Sequence, residues 1–328
     1  MLRNLLPAES LPCYIISRKP PVVICYWHDF YNKLDDCAAC FPAGQNGYVL
    51  AMLGWHRETQ ERVDELVNDV SELAKKAPNI KPIFLANSQN EENLLNGHGL
   101  NAVFCHQNAF LDERRYKIIP GVHKHYDAIY IARITPFKRH ELAAALPSLR
   151  LIGDWHDFEQ EHYDKILSIL PQADWTCKVS SRSIYREINA ARTGLCLSEA
   201  EGAMFVSAEY LLCGVPVVNT PNLGGRDEMF TSPYTLTVDP TPEAVADGVR
   251  IQIEAQYDPQ LIRQTIIEKM QIHRQTLIEL IQSIYDQENN GRNFSLEWPS
   301  VYTHKMGIRC STSPLRALKR RLSKGKLL

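Results

Sequence analysis

Short apolar runs rich in branched and aromatic residues return along this chain with amphipathic stretches between them, an alternation that points to a parallel sheet wrapped by helices. In the first third the runs are 22–26, 48–53, 82–86 and 102–105, followed by 117–119. The clearest helix is expected over 57–77, where Val63, Leu66, Val67, Val70, Leu73 and Ala74 recur at helical spacing and Pro78 stops the pattern. A second series starts after Pro120-Gly121, with strands expected at 128–132, 149–152, 193–198 and 216–219 and helices at 140–146, 161–170 and 203–213. The architecture this predicts is α/β, with two Rossmann-like halves joined near residue 122. Beyond Pro240 the chain turns helical, over 242–253 and 259–285, and Asn289-Asn290-Gly291-Arg292 makes a turn.

A length of 328 residues suits two domains that each bury a core. With 45% hydrophobic residues, 23% charged residues and a net charge of -2, the composition is that of a soluble globular protein and does not advertise nucleic-acid binding. Nine cysteines form an odd set, several of them inside apolar runs, and read as reduced core residues of a cytosolic protein. Cys37-Ala-Ala-Cys40 has the spacing of a redox or zinc half-site, but no second pair stands nearby to complete four ligands. Neither a signal-peptide core nor 18 consecutive apolar residues occur, so the expected location is cytoplasmic.

The chemistry concentrates in the segment from Gly194 to Asn219. There a buried strand leads through a polar turn into a helix ending at Cys213-Gly214, and Pro216 opens the next strand. Amides at the start of such a helix, around Gly202, Ala203, Met204 and Phe205, favour an anion such as a phosphate. Glu201 and Glu209 lie eight residues apart, roughly 12 Å along a helix. That span matches the two sugars of a nucleotide diphospho-sugar, whose hydroxyls a carboxylate can accept. An exposed charged helix face is the alternative.

Upstream, Ile129-Tyr-Ile-Ala-Arg133 runs into a turn at Pro136 that delivers Lys138. Two cations at the carboxyl end of a strand face the crevice where α/β sheets bind ligands, and a diphosphate is their natural partner. Ordinary surface charge is the competing explanation.

Together these pieces resemble the GT-B family of retaining glycosyltransferases with a glycosyltransferase group 1 type C-terminal domain. The match runs through Ala132-Arg133, Lys138, Glu201-Gly202, Glu209, Cys213-Gly214-Val215-Pro216-Val217-Val218, Gly224-Gly225 and Glu228. The resemblance implies a GT-B fold: a reduced N-terminal acceptor domain over 1–122, a nucleotide-sugar donor domain over 123–297, and a crossing segment with a basic tail over 298–328. It implies that Arg133 and Lys138 hold the donor diphosphate, that Glu201 and the amides after it meet the sugar, and that Glu209 meets the ribose. Transfer to a glycan or lipid-linked acceptor in surface polysaccharide or glycoconjugate synthesis is then expected, with retained configuration and neither cofactor nor metal. No Asp-x-Asp triplet offers a competing metal site.

The likeness thins toward the N-terminus. The family's Gly-Gly loop after the first strand is replaced by Cys25-Tyr-Trp-His-Asp29, so His28 and Asp29, with His106 after a later strand, are the acceptor-side candidates. Cap and turn roles are the alternative for each. Trp298 and Tyr302 are candidate anchors for the crossing segment. The tail over 314–328 carries six cations and no acid, which makes it a candidate for peripheral contact with an anionic membrane at its inner face; a solvated terminus is the alternative. A non-catalytic GT-B-like binding subunit is the rival functional reading, suggested by the short N-terminal half. Retention of both cations and both glutamates argues against it. An epimerase or phosphorylase on the same fold lacks its lysine or histidine constellation here.

Overall fold

The computed structural model describes residues 10–307, 312–314 and 322. Two compact units emerge: a split unit of Met1–Leu111 with Gln271–Leu328, and a central unit of Asp112–Met270.

The split unit opens with β1 (Ser10–Arg18), β2 (Pro21–Tyr26), α1 (Trp27–Tyr31), α2 (Leu34–Ala38), β3 (Gly47–Met52), α3 (Gln60–Lys76), β4 (Ile80–Ala86), α4 (Gln89–Gly97) and β5 (Ala102–Phe104). β2 to β5 pair parallel in sequence order, whereas β1 pairs antiparallel with β2. Because parallel strands are covered on both faces, β2 and β3 are buried almost throughout, as their continuous apolar runs require. The periodic face of α3 supplies Val63, Leu66 and Leu73 to a core shared with Val23, Phe30, Val49 and Phe84. Trp27 and Tyr31 tie α1 to α3 through hydrogen bonds to Asp69 (2.8 Å) and Glu72 (2.7 Å).

The central unit contains β6 (Tyr126–Ile131), β7 (Leu149–Ile152), α5 (Gln160–Ile169), β8 (Ala173–Thr176), α6 (Ile184–Asn189), β9 (Ala191–Cys196), α7 (Phe205–Leu212), β10 (Val217–Asn219), β11 (Thr235–Thr237) and α8 (Pro242–Glu254). All neighbours in its sheet pair parallel, in the order β11-β10-β9-β6-β7-β8. The winding therefore runs outward in one direction from β6 and in the other from β9. The gap between these two strands is the topological switch point, at whose carboxyl end such sheets bind ligands.

Helix α9 (Pro259–Gln287) begins in the central unit and ends in the split one. Ile262, Ile266 and Met270 are buried along its first half, and Leu277, Ile281, Ile284 and Tyr285 along its second. Then come α10 (Phe294–Val301) and β12 (Thr312–Pro314), which pairs antiparallel with β1. Within the split unit the Tyr302 hydroxyl donates to the Leu111 carbonyl and accepts from Arg274 (2.5 and 2.9 Å). Of the basic tail only Pro314 and Leu322 are described, and Leu322 is buried in the core of the split unit. The six tail cations lie outside the described residues. No described helix is long and apolar enough to cross a membrane.

Several local expectations are corrected. Residues 117–119 form no strand, because Asn189 takes their backbone groups: its amide donates to Lys117 O (2.9 Å) and accepts from Ile119 N (2.8 Å). In place of a helix over 140–146 there are two short 3-10 turns, Pro136–Lys138 and His140–Ala143, broken by Arg139 in the left-handed region at φ 52°. The helix expected from residue 203 begins at Phe205, since Met204 is also left-handed, at φ 45°. Cys37 and Cys40 are buried free thiols, and burial pushes the Cys37 thiol far up.

Candidate functional site

The candidate site residues Arg133, Lys138 and Glu201 of the central unit sit where the sheet reverses. β6 delivers Arg133 and Lys138, and β9 delivers the loop 197–204 that carries Glu201. Lys138 Nζ donates to the Glu201 carboxylate, and both side chains are nearly buried, at 13% and 10% exposure. Tyr130, near the carboxyl end of β6, fixes the lysine's backbone by donating to Lys138 O (2.5 Å). Burial drives the Tyr130 hydroxyl well above its ordinary pKa, so it stays a donor.

The loop bearing Glu201 is strand-like rather than helical. Ala200 bridges to Leu223, Glu201 N donates to Leu223 O and Leu223 N to Glu199 O, both at 2.9 Å. Glu201 and Glu209 thus do not share a helix, and the spacing of roughly 1.5 Å per residue does not set their separation. Glu209 lies inside α7, is 6% exposed, and accepts from the Tyr116 hydroxyl at 2.7 Å. Gly202 and Ala203 are buried, Met204 and Phe205 half-buried, and the Ser207 hydroxyl donates to Met204 O (2.8 Å) at the first turn.

Arg133 is set apart from the lysine pair. Its side chain is half exposed and lies 3.9 Å from Asp154, a carboxylate that also has Lys178 at 3.6 Å. The structure therefore joins Lys138 with Glu201 and places Arg133 with Asp154, on the loop after β7.

Two arginines that the motif reading passed over hold this loop system together. Arg139 donates to Leu197 O (2.6 Å), Thr220 Oγ1 (2.7 Å) and Pro221 O (3.2 Å). These bonds offset a left-handed backbone that costs a residue with a Cβ about 1–2 kcal/mol. Arg226, with no exposed surface, donates to Ser198 O (2.8 Å) and Thr220 O (2.5 Å) and pairs with Asp227 (2.6 Å). Its place after Gly224-Gly225 was visible in the sequence, but its carbonyl partners, reached across the fold, were not. His140 is buried against the Tyr130 ring at 4.7 Å, and burial pushes its pKa down to about 3. It is a neutral core residue at physiological pH.

Close packing sets the geometry from below. A Cβ on Gly194 would meet the Tyr210 ring at 2.4 Å, so the glycine lets α7 lie flat on β9. The Tyr210 hydroxyl then accepts from Ile131 N (2.9 Å), at the end of β6. A Cβ on Gly153 would reach 1.9 Å from Ala132 O, which keeps β7 tight against the chain leading into Arg133.

In the split unit, His28 and Asp29 lie on α1, directly after β2, with Nε2 and Oδ1 3.0 Å apart. His28 lines a pocket of about 370 Å³ with Tyr26, Gly54, Trp55 and Arg57 at the carboxyl ends of β2 and β3. His106 is fully buried and its Nδ1 accepts from Asn108 N at 3.1 Å, a capping role. Nearby Glu91 is buried, accepts from Asn87 N and Arg57 N (both 2.7 Å), and has its pKa raised to about 7 by burial, against the pull of those two amides. Among the described residues no cluster of three or more His, Cys, Asp or Glu side chains is arranged to hold a metal ion.

No family model matches the chain, and no curated protein does. Solved structures do. HepE of Anabaena in complex with UDP is similar over 77% of this chain and 82% of that one, at 18% identity and a TM-score of 0.59. Sucrose-phosphate synthase from Thermosynechococcus elongatus is similar over 83% and 74%, at 14% identity and a TM-score of 0.59. TarM of S. aureus, solved as a mutant with fondaparinux, alpha-GlcNAc-glycerol and UDP, is similar over 85% of this chain and 57% of its own, at 13% identity and a TM-score of 0.60. Similarity at these identities bears on architecture, and with the parallel sheets described above it establishes that this chain has the GT-B fold of two Rossmann-like α/β domains.

Proposed function

We propose that the protein is a retaining glycosyltransferase that moves a sugar from a nucleoside-diphosphate donor to a glycan or lipid-linked acceptor, in surface polysaccharide or glycoconjugate synthesis. The observation that carries this reading is the Lys138–Glu201 pair at the β6/β9 switch point. UDP in the HepE and TarM structures supports it as well.

Lys138 supplies charge for the donor diphosphate, and Arg133 adds a second cation from the rim. On donor binding the ammonium exchanges its carboxylate partner for phosphate oxygens, which releases Glu201 to accept from sugar hydroxyls. Gly202, Ala203, Met204 and Phe205 contribute backbone at the start of α7, whose dipole favours the same anion. Glu209 accepts from ribose hydroxyls. As the glycosidic bond breaks, negative charge grows on the leaving diphosphate, and fixed cations stabilise it at that moment; losing one such group typically costs about 10²–10³ in rate. This chemistry uses protein cations and requires no metal or organic cofactor. His28 and Asp29 are assigned to the acceptor side, His106 to the support of that end of the sheet. The enzyme works in the cytoplasm, with the basic tail as its contact to the inner face of a membrane.

The test is turnover. Release of nucleoside diphosphate from a panel of UDP-, GDP-, ADP- and dTDP-sugars is measured for the wild type and for Glu201→Ala, with the product anomer read by NMR. One donor class should turn over, with retention, and Glu201→Ala should be inactive. Nucleotide binding with no hydrolysis or transfer from any donor favours a binding subunit instead.

A further inference from the structure

A second concentration of cations occurs in the central unit, on segments that the Lys138–Glu201 pair does not use. Arg114, Arg115 and Lys117 precede β6, while Ser181, Arg182 and Tyr185 come from the loop after β8 and the first turn of α6, and together they line a pocket of about 200 Å³. No Asp or Glu is among these lining residues. Arg114 is engaged by Asp112 in a two-pronged pair (2.9 and 3.0 Å), so Arg115, Lys117 and Arg182 carry the local charge.

Tyr185 reports the field. Lys117 Nζ stands 5.5 Å from its ring centre, and Arg186 approaches its hydroxyl at 3.4 Å. The phenol is held below its ordinary pKa by the Arg186 hydrogen bond first, then by the charges of Arg186 and Lys117. The whole chain is slightly acidic, at a net charge of -2, so this concentration is local. Arg115, Lys117 and Arg182, with no carboxylate among the lining residues, repel one another, and an anion among them removes that repulsion. Guanidinium, ammonium and hydroxyl donors on one concavity match the oxygens of a phosphate. The volume lies below the roughly 300–1,000 Å³ of pockets for drug-sized ligands, which suits a phosphate or diphosphate group rather than a whole nucleotide.

We propose that this pocket binds a phosphate-bearing anion, a phosphomonoester or diphosphate, independently of the donor site. The source is a soluble phosphate compound or a lipid headgroup, and the experiment separates them. Inorganic pyrophosphate is titrated by calorimetry into the full chain as wild type, as Lys138→Ala, as the double variant Lys117→Glu/Arg182→Glu, and as Lys138→Ala combined with that double variant. Lys117 and Arg182 are both exposed, so the double variant is expected to fold, as circular dichroism will verify. Lys138→Ala should keep a binding event that adding Lys117→Glu/Arg182→Glu to it weakens by at least about tenfold, since charge-assisted bonds are lost. In parallel, phosphatidylcholine vesicles with and without phosphatidylglycerol are floated with the same proteins. Binding to the anionic vesicles that the double variant loses assigns the anion to a lipid headgroup; pyrophosphate binding with flotation absent, or unchanged in the double variant, assigns it to a soluble ligand. Absence of pyrophosphate binding in Lys138→Ala, or its retention at unchanged affinity when Lys117→Glu/Arg182→Glu is added to Lys138→Ala, overturns the proposal whatever the donor assays show.

Discussion

The ammonium of Lys138 donates to the carboxylate of Glu201, joining the chain that leaves β6 to the chain that leaves β9, 63 residues later. Both side chains are almost out of solvent, so each neutralises the other's buried charge. Lys138→Met or Glu201→Gln alone should therefore cost about 3 kcal/mol of stability, because the partner is left unpaired. The double variant should cost less than the sum by about 1 kcal/mol or more. Strict additivity in chemical denaturation would show that the pair is not coupled.

Gly194 is where β9 admits the Tyr210 ring. Gly194→Ala forces ring and strand apart at the end of β6, and overpacking of this kind costs about 1–3 kcal/mol. A melting temperature several degrees lower is expected from thermal unfolding, and an unchanged one contradicts the close contact.

Arg226 is buried with two backbone carbonyls as its acceptors. Arg226→Met strands Ser198 O, Thr220 O and Asp227, at a cost of about 3–5 kcal/mol. Urea unfolding should show this loss, whereas Arg250→Met, which removes an exposed cation of α8, should change stability by less than about 1 kcal/mol. Equal effects would mean that Arg226 does not brace the loop.

Glu91 gives the split unit a pH dependence of known sign. Its folded pKa of about 7 lies above the ordinary carboxyl value of 4.5. Stability is fully present below the lower value and is lost as pH rises through the upper one, by on the order of 3 kcal/mol. Thermal unfolding between pH 5 and pH 8 should show a decline that Glu91→Gln flattens. A variant with the same slope as the wild type would assign the decline to other groups.

Much of this fold was legible because local pattern and tertiary fate agreed. The apolar run at 149–152 became β7 unchanged, and the helix expected at 242–253 ends one residue later, capped by Thr241. Helix α4 was missed although Ser88 and Glu91 spell its capping pattern, and the Ser88 hydroxyl accepts from Glu91 N. β1 was missed because it joins an otherwise parallel set as an antiparallel strand, a pairing that depends on chain reversal at Lys19-Pro20 rather than on apolar content. At the site, residue types and order were readable, but geometry was not. The left-handed Met204 moves the start of α7 from residue 203 to Phe205, and nothing in a single sequence marks a methionine for that conformation. The partners Tyr116 for Glu209 and Asp154 for Arg133 come from chain segments far away in sequence or on another loop, so spacing did not expose them.

In the proposed function Lys138 and Glu201 form one wall of a nucleoside-diphosphate sugar site. Calorimetric titration of the wild type with UDP, GDP, ADP and dTDP tests it most directly. One nucleotide should bind, Lys138→Ala should weaken that binding by about tenfold or more, and Glu201→Ala should leave it largely intact. Silence with all four nucleotides, or equal affinity in the wild type and Lys138→Ala, contradicts the account.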